Sequence, residues 1–322
     1  MTQTRTFLLF AWLMVAAFLW MEWNQEIQPQ QVAKTPTTVA VPSASVPTAT
    51  VPSARGPGTV VADAITPAQA PRVSLRNDML ALELDGRSIT GAKLLHYRQS
   101  SKVGSPPVVL FNDNAATHFV AHNGWLSADG SDATFLPDSA VRSAVLDAGA
   151  REVSARFIGQ AANGVQVRRT YTLARGSYAV RVHDEVTNSG RVPWTGTVYR
   201  QLLRNPPPPK GGFTNPEAFS LSGAAWYSPE DKYTKRSYPD FVDDGPLDQE
   251  VGGGWVALSQ HYFLTAWVPQ KDQRALFSLG VSGADHRIEA RGPQVTLAPG
   301  QRYTSDATLW VGPKLTEQLE VI

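Results

Sequence analysis

The sequence predicts an all-β fold, a large antiparallel sandwich, and three observations lead to it. Beyond residue 72, apolar side chains recur at every second position, as in Leu80–Leu84, which is the period of a half-buried strand. Turn-forming pairs such as Asp85-Gly86, Asn163-Gly164 and Pro299-Gly300 separate the alternating runs. Amphipathic segments of helical length are scarce in this region. Many strands with few helices between them argue against an α/β fold.

The first element of the chain is an apolar run of fifteen uncharged residues, 7–21. As a helix it is about 22 Å long, which serves to cross a bilayer if the flanking residues lie at the interfaces. Tryptophan is typical of those interfaces. We therefore predict an uncleaved membrane anchor with these anchor residues: Phe7, Trp12, Trp20 and Trp23.

A cleaved signal peptide is the alternative reading of the same run, and a buried soluble helix is a weaker one. Signal peptides end in small residues before the cleavage site, whereas this run ends in large apolar ones. Arg5 precedes the run, and Glu22 and Glu26 follow it. By the positive-inside rule the N-terminus lies in the cytoplasm and the remainder of the chain lies outside.

A Pro-, Thr-, Val-, Ala- and Ser-rich segment follows, with eight prolines between Pro29 and Pro71. Such a composition supplies few large side chains for a core and removes backbone donors, so it predicts a semi-extended tether. The chain then divides into an anchor at 1–23, a flexible linker at 24–71 and a β-rich domain at 72–322.

Strands are predicted throughout the third segment. The clearest pair is a hairpin of strands 165–173 and 178–187 around the turn 174–177. The other predicted strands are 79–85, 108–111, 152–158, 195–201, 255–258, 262–268, 275–279, 295–297 and 308–311. Apolar residues at Leu315, Leu319 and Ile322 have helical spacing, which predicts a short C-terminal helix after Gly312-Pro313.

Composition excludes several functions. The net charge is +1 and the basic residues are scattered, which argues against nucleic acid as a partner. The absence of cysteine excludes disulfides, thiol nucleophiles and cysteine-ligated metals. None of the common phosphate-binding, dinucleotide-binding, nucleophile-elbow or zinc-protease motifs occurs. The sequence therefore predicts no cofactor, no metal site and no catalytic residue.

The histidines are candidates for metal ligands or acid–base groups. His118 and His122 are four apart, which aligns metal ligands only on a helix, and a turn is predicted at Asn123-Gly124. His183 and Glu185 share one face of a predicted strand, and Asp184 lies on the other. An acid–base pair is one interpretation of this triplet, and charged residues on a solvent face are the simpler one. The remaining histidines, His96, His261 and His286, are predicted to be surface or hydrogen-bonded positions.

A long connection from residue 206 to residue 254 carries an unusual number of aromatic residues. Long connections in compact domains are usually functional or disordered, and the aromatic content argues against disorder. The connection either packs on its own sandwich or contacts a partner or ligand. The candidate partner-contact residues are Pro206, Pro209, Trp226, Tyr227, Tyr233 and Tyr238.

The order of these features resembles the N-terminal part of the bacterial members of the YidC/Oxa1/Alb3 family of membrane protein insertases. The resemblance extends over essentially the whole chain and rests on the apolar run, the linker and the segments 73–80, 173–180, 222–227, 231–233, 253–257, 260–269 and 308–313. It implies a protein of the bacterial inner membrane whose first helix is a signal anchor and whose periplasmic domain is a β-supersandwich related to galactose mutarotases.

The resemblance also implies a function and its partners: insertion and folding of nascent integral membrane proteins in the lipid bilayer, alone or with the Sec translocon and its accessory subunits. In the family, insertion depends on a charged groove within five further membrane helices, and this sequence has no second apolar run of that length. The sequence is therefore expected to hold the anchor and periplasmic module without the insertase core, and no insertase residue is carried over. The alternatives are a membrane-tethered mutarotase-like enzyme and a periplasmic module that binds carbohydrate or peptide.

Overall fold

The computed structural model describes Met14 and residues 71–208, 222–271 and 273–314. The described residues from 71 onward belong to one compact unit. Several predictions lie outside the described residues: the anchor residues Phe7, Trp12, Trp20 and Trp23, nearly all of the linker, Pro209, and the C-terminal helix with Leu315, Leu319 and Ile322. They stay predictions.

The described part of the domain consists almost entirely of strands. The strands are β1 (Val73–Arg76), β2 (Leu80–Leu84), β3 (Ser88–Arg98), β4 (Pro107–Phe111), β5 (Phe119–Ser127), β6 (Thr134–Pro137), β7 (Ser143–Val145), β8 (Glu152–Gln160), β9 (Val165–Ala174), β10 (Ala179–Asn188), β11 (Trp194–Arg204), β12 (Gly223–Ser228), β13 (Lys232–Ser237), β14 (Asp248–Gly252), β15 (Trp255–Ser259), β16 (Phe263–Pro269), β17 (Arg274–Ser282), β18 (Asp285–Leu297) and β19 (Arg302–Pro313). One short helix, α1 (Asp240–Asp243), and two 3-10 turns, Ala115–Thr117 and Ala162–Gly164, complete the described elements.

The strands form two sheets. Sheet A has ten strands, in the order β14-β17-β18-β11-β5-β3-β2-β1-β7 with β4 beside β3. Sheet B has nine, in the order β13-β12-β15-β16-β19-β10-β9-β8-β6. Neighbouring strands pair antiparallel except β1 and β7, which are parallel. The predicted all-β antiparallel supersandwich is confirmed.

The core lies between the sheets and follows the alternation of the strands. Along β9 the buried residues are every second one, and along β10 the same alternation places Val180, Val182 and Val186 inside. Trp125 of sheet A and Trp267 of sheet B are fully buried. Burial of a large apolar side chain stabilises a fold by about 1.5–3 kcal/mol, so this layer supplies most of the stability.

The predicted hairpin is confirmed with small shifts of its ends. Strands β9 and β10 pair in register from Leu173 and Val180 to Val165 and Asn188. Gly176 in the connecting turn has φ of +71°, a left-handed conformation that glycine adopts without the steric cost of a Cβ.

The turn predicted at Asn123-Gly124 is wrong, because β5 runs straight through both residues and pairs with β11 along its length. A Cβ at Gly124 would lie 2.3 Å from the ring of Tyr199 on β11. The glycine therefore serves close packing across the sheet rather than a turn.

The long connection from residue 206 to residue 254 is also more regular than predicted. It contains β12, β13, α1 and β14, so the chain adds edge strands to both sheets before it returns to β15. Its aromatic residues Trp226, Tyr227 and Tyr233 lie in β12 and β13, whereas Tyr238 precedes α1 and Phe241 lies in α1.

Candidate functional site

A cavity of about 680 Å³ opens on the outer face of sheet B. Its residues come from β9, β10, β19 and β16, from the start of β15 and the end of β12, and from the segments before β15 and after β16. We call this cavity the trough. Side chains on the outer face of a strand alternate with core residues, so the floor of the trough is the solvent side of the same strands that build the core.

Aromatic side chains form one end of the trough. Tyr227 on β12 and Trp255 on β15 are cross-strand partners, and their rings stack with centroids 6.3 Å apart and planes 17° apart. Tyr233 on β13 is the partner of Tyr227, and its ring centroid lies 6.0 Å from that of Trp255. Tyr227 and Trp255 are half-buried and Tyr233 is 55% exposed. We call these three residues the aromatic cluster.

Gly253 and Gly254, just before β15, line the trough beside the aromatic cluster. A Cβ at Gly254 would lie 2.2 Å from the backbone oxygen of Tyr227, so another residue at this position would push the segment away from β12. The segment thus approaches β12 closely enough for Trp255, the next residue, to stack on Tyr227.

Polar side chains in cross-strand register form the floor. Thr172 on β9 lies opposite Arg181 on β10, and Arg181 lies opposite Thr308 on β19. The next row along the strands joins Thr170, His183 and Asp306 in the same way (on β9, β10 and β19). All six residues line the trough. The floor therefore presents three hydroxyl groups between charged side chains.

The charged groups of the floor are paired within the protein. His183 Nδ1 lies 2.7 Å from Asp306 Oδ1, and Arg181 forms an ion pair with Glu152 on β8. The hydrogen bond to Asp306 raises the pKa of His183, and nearby carboxylates add to this effect while partial burial opposes it. The pairing leaves the described floor close to electrical neutrality.

Directly beneath the floor, the inner face of the same strands carries a buried charge cluster. Arg169 Nε and Nη2 donate to the two oxygens of Asp184 at 2.7 and 2.6 Å, and Trp125 Nε1 donates to Asp184 at 2.8 Å. Arg169 Nη1 also donates to the backbone oxygens of Gly86 and Asn123. Burial is the largest single influence on the pKa of Arg169 and lowers it, but Asp184 and Tyr171 together outweigh burial, and the net shift is upward.

Arg200 adds a second buried guanidinium to the cluster from sheet A. Its Nη2 donates to Ser305 Oγ at 2.7 Å. Burial, with a smaller contribution from Arg169, lowers the pKa of Arg200 to about 10. Among the described residues, neither Arg200 Nε nor the side-chain amide of its cross-strand neighbour Asn123 has a hydrogen-bond partner. The cluster is therefore part of the structural core, and some of its polar atoms have no hydrogen-bond partner among the described residues.

The prediction that His183 and Glu185 share one face of the strand and Asp184 lies on the other is confirmed. The interpretation as charged residues on a solvent face holds for His183 and Glu185 but not for Asp184. His183 and Glu185 do lie on the outer face, at 3.7 Å from His183 Nε2 to Glu185 Oε1. Asp184 is 1% exposed and belongs to the buried charge cluster. The correction follows from the strand period, which sends every second side chain into the core.

The predicted partner-contact residues divide into two groups. Trp226 and Tyr238 are buried and pack in the core, so their side chains offer no surface for a partner. Pro206 is half-buried just after β11. Tyr227 and Tyr233 reach the surface as part of the aromatic cluster.

The histidines in the described ranges each have different neighbours. His118 Nδ1 lies 2.8 Å from Asp285 Oδ2, and His122 is on β5. His96 Nε2 is 3.1 Å from the backbone oxygen of Asp78, and His286 packs between the rings of Tyr238 and Phe241. Within the described ranges, no three His, Asp or Glu side chains are grouped as metal ligands.

None of the helices in the described part of the chain has both the length and the apolar character that a membrane span requires.

Two features of the trough could not be identified from the sequence. No motif in the sequence marks Trp255 as a site residue, although it follows three glycines. The floor depends on the pairing of β10 with β19, strands separated by more than a hundred residues, and no local signal carries that register.

Comparison with known proteins identifies relatives over nearly the whole chain. The family model described as the YidC periplasmic domain matches residues 72–322. A membrane protein insertase YidC from Xanthomonas campestris pv. campestris (strain 8004) is 43% identical over 99% of this chain and 59% of its own length. The protein of the same name from Stenotrophomonas maltophilia (strain K279a) is 45% identical over 98% of this chain and 57% of its own. The chain thus spans less than two thirds of these relatives.

Solved structures with a similar arrangement are more distant in sequence. A galactose mutarotase-like protein from Lactobacillus casei ATCC 334 has a TM-score of 0.47 and 11% identity, and the match covers 74% of this chain and 99% of that one. A galactose mutarotase related enzyme from Lactobacillus acidophilus has a TM-score of 0.46 and 13% identity, covering 76% of this chain and 100% of that one.

Proposed function

The chain belongs to the YidC periplasmic domain family, and from this membership we propose that it is the anchor and periplasmic module of a membrane protein insertase. The match over residues 72–322 and the names of the relatives support the proposal. In it, residues 1–23 anchor the chain in the bacterial inner membrane, 24–71 are the linker, and 72–322 form the periplasmic domain.

The module acts beside the insertion step rather than in it. Moving a polar segment through hydrocarbon requires a hydrated, polar recess inside the bilayer. The described domain is instead a two-sheet sandwich with a largely apolar core, and its buried charges, such as the Arg169–Asp184 pair, lie between the sheets. Its contribution is therefore docking: it holds partners or clients near the membrane while the insertase core carries out the transfer.

For that docking we propose strand β13 as the contact for accessory subunits of the Sec translocon. β13 is an edge strand of sheet B, and among the described residues it pairs only with β12. Its outer edge offers backbone donors and acceptors for strand addition. Tyr233 on β13 provides an exposed aromatic anchor of the kind that is enriched at interfaces.

The test uses cells depleted of their own insertase. We expect the chain alone to leave insertion of a reporter membrane protein defective, and a chimaera of this chain with the remaining C-terminal part of the Stenotrophomonas relative to restore it. A chimaera that lacks residues 72–322 measures what the periplasmic module adds. Rescue by the chain alone would contradict the division between module and core.

The partner contact is tested in the same chimaera with a photo-reactive phenylalanine derivative. We expect it to cross-link Sec accessory subunits when it replaces Tyr233. Tyr262 is the matched control, because it is 60% exposed and lies in the β15–β16 connection, at the opposite end of β15 from Trp255. Equal cross-linking from both positions, or none from Tyr233, would exclude β13 as the contact.

A further inference from the structure

The shape of the trough suits an extended ligand. It crosses six neighbouring strands of sheet B, namely β12, β15, β16, β19, β10 and β9. Neighbouring strands lie about 4.8 Å apart, so five intervals give a length of about 24 Å. A cavity of 680 Å³ drawn out over this length fits a linear chain of several small units better than one compact molecule.

The aromatic cluster offers a flat apolar surface at one end of the trough. The stacked rings of Tyr227 and Trp255 are half-buried, so part of their surface faces the trough. Aromatic rings combine a large apolar area with low conformational entropy, and they pack well on other flat apolar faces. The C–H face of a pyranose ring is such a surface.

The floor offers hydrogen bonds from side chains only. The backbone N–H and C=O groups of β9, β10 and β19 are used in the pairing of the sheet. An extended polypeptide is normally recognised through free backbone groups at a sheet edge, and these are absent from the face of a paired sheet. Thr170, Thr172 and Thr308 instead present hydroxyl groups, which both donate and accept, as the hydroxyls of a sugar do.

The charged side chains of the floor favour a neutral ligand, and one further charged residue, Lys271 in the segment after β16, lines the trough beside them. Arg181 is paired with Glu152, and His183 is paired with Asp306. A strongly charged ligand would have to break one of these pairs, whereas neutral hydroxyl groups can bond to paired charges without separating them.

We propose that the trough binds a linear, neutral oligosaccharide. One sugar ring stacks on Trp255 and Tyr227, and the following rings lie across β16, β19, β10 and β9, where their hydroxyls bond to Thr308, Thr172 and the His183–Asp306 pair. The sugar contacts lie on the face of sheet B and on Trp255 and Tyr227, whereas the proposed Sec contact uses the edge of β13 and Tyr233, so different variants test the two proposals.

The experiment measures binding of maltohexaose, cellohexaose and N-acetylchitohexaose to the full chain by calorimetry and tryptophan fluorescence. The chain is purified in a detergent without a sugar headgroup, since a maltoside would itself compete for the trough. We expect saturable binding of at least one hexasaccharide. Absence of saturable binding of all three at millimolar concentration would overturn the proposal.

Two variants locate the site. Trp255→Ala should weaken binding on the order of tenfold, because a stacked aromatic anchor is removed. Thr308→Val keeps the shape and the strand preference of the residue and removes only the hydroxyl, so about a fivefold loss is expected. The second variant keeps the test decisive if the first is poorly folded, which a thermal unfolding curve would reveal. Tyr262→Ala removes an exposed aromatic residue outside the trough and should bind as the unmodified chain does.

A competing peptide distinguishes the other class of ligand. An unstructured, uncharged peptide of ten residues is added to the chain with the bound hexasaccharide. We expect it to leave sugar binding unchanged. Displacement of the sugar by the peptide, or unchanged sugar binding in both Trp255→Ala and Thr308→Val, would show that the trough is not an oligosaccharide site.

Discussion

Two adjacent residues of β10, His183 and Asp184, lie in opposite environments. His183 faces the trough, where its side chain is 41% exposed, and Asp184 faces the core, where its side chain is 1% exposed. Each forms a hydrogen bond with a side chain of the opposite charge type: His183 with Asp306, and Asp184 with Arg169. Pairing alone therefore does not decide how much a charged residue contributes to the free energy of unfolding, because that contribution depends on the solvent around the pair.

The physical difference is the surrounding dielectric. On the outer face, water and salt screen the His183–Asp306 attraction, and such surface pairs contribute about 0–1 kcal/mol. Between the sheets, the cost of desolvation has already been incurred, so removal of one partner leaves an uncompensated buried charge. The buried charge cluster therefore stabilises the fold, whereas the surface pairs in the floor of the trough contribute little to stability.

The largest effect is expected from Asp184→Ala. The change leaves Arg169 buried without its counter-ion and Trp125 Nε1 without its acceptor, and loss of one partner of a buried pair costs about 3–5 kcal/mol. Thermal unfolding should shift down by about 10 °C for a domain of this size. Glu185→Ala, one residue away on the exposed face, is the matched control and should change the midpoint little. Equal shifts for the two variants would contradict the comparison.

A double-mutant cycle on Arg169 and Asp184 gives the next effect in size. We expect Arg169→Met and Asp184→Ala together to cost less than the sum of the single changes, by about 1–3 kcal/mol, because the double variant leaves neither member of this pair buried without the other. Chemical denaturation of the four proteins measures this coupling. Strict additivity would mean that the two residues do not act as a pair. The same cycle on His183 and Asp306 should give a coupling below about 1 kcal/mol.

A smaller loss is expected from Tyr171→Phe. The Tyr171 hydroxyl donates to the backbone oxygen of Gly86 at 3.1 Å within the core, and a hydrogen bond of this kind contributes about 1 kcal/mol. Denaturant unfolding should detect it. Tyr262→Phe removes a hydroxyl from an exposed side chain and should leave stability unchanged. If Tyr171→Phe left the free energy of unfolding unchanged, the buried polar layer would be less tightly coupled than its geometry implies.

The smallest effect is a pH dependence on the outer face. The hydrogen bond with Asp306 raises the pKa of His183 above its ordinary value of 6.5. Its contribution to stability is therefore complete below the unfolded-state pKa and is lost as the pH rises through the folded-state pKa, and screening keeps it below about 1 kcal/mol. NMR titration of the imidazole measures the pKa, and Asp306→Asn should lower it. An unchanged pKa in that variant would show that the pair does not form in solution.

The sequence was a good guide to strands with strict alternation and a poor guide to strands without it, including β3 and β5 in the middle of sheet A. The hairpin of β9 and β10 has strict alternation and a glycine turn, so it was predicted almost to the residue. The β12–β13 hairpin was missed because its turn places a lysine, Lys232, at φ of +60° where glycine or asparagine would have been a signal. Asn123-Gly124 gave the opposite error, since a turn signal was overridden by pairing with β11.

The trough was beyond sequence reasoning for a different reason. Tyr227 and Tyr233 were singled out for their aromatic character, but Thr172, Arg181 and Thr308 are ordinary strand residues when taken one at a time. They become a site only through a register between β9, β10 and β19, which the whole fold sets. Alternation predicts which face a residue occupies, and only tertiary pairing decides its neighbours on that face.

The place of β19 in sheet B has a consequence for how the domain assembles. β19 is the last described strand along the chain, yet it lies in the middle of its sheet, between β16 and β10. Until residues 302–313 are available, the two halves of sheet B have no common strand and each exposes an unpaired edge. Completion of sheet B must therefore wait for residues 302–313, and a nascent chain stopped before residue 302 is expected to be slow to fold and prone to aggregation.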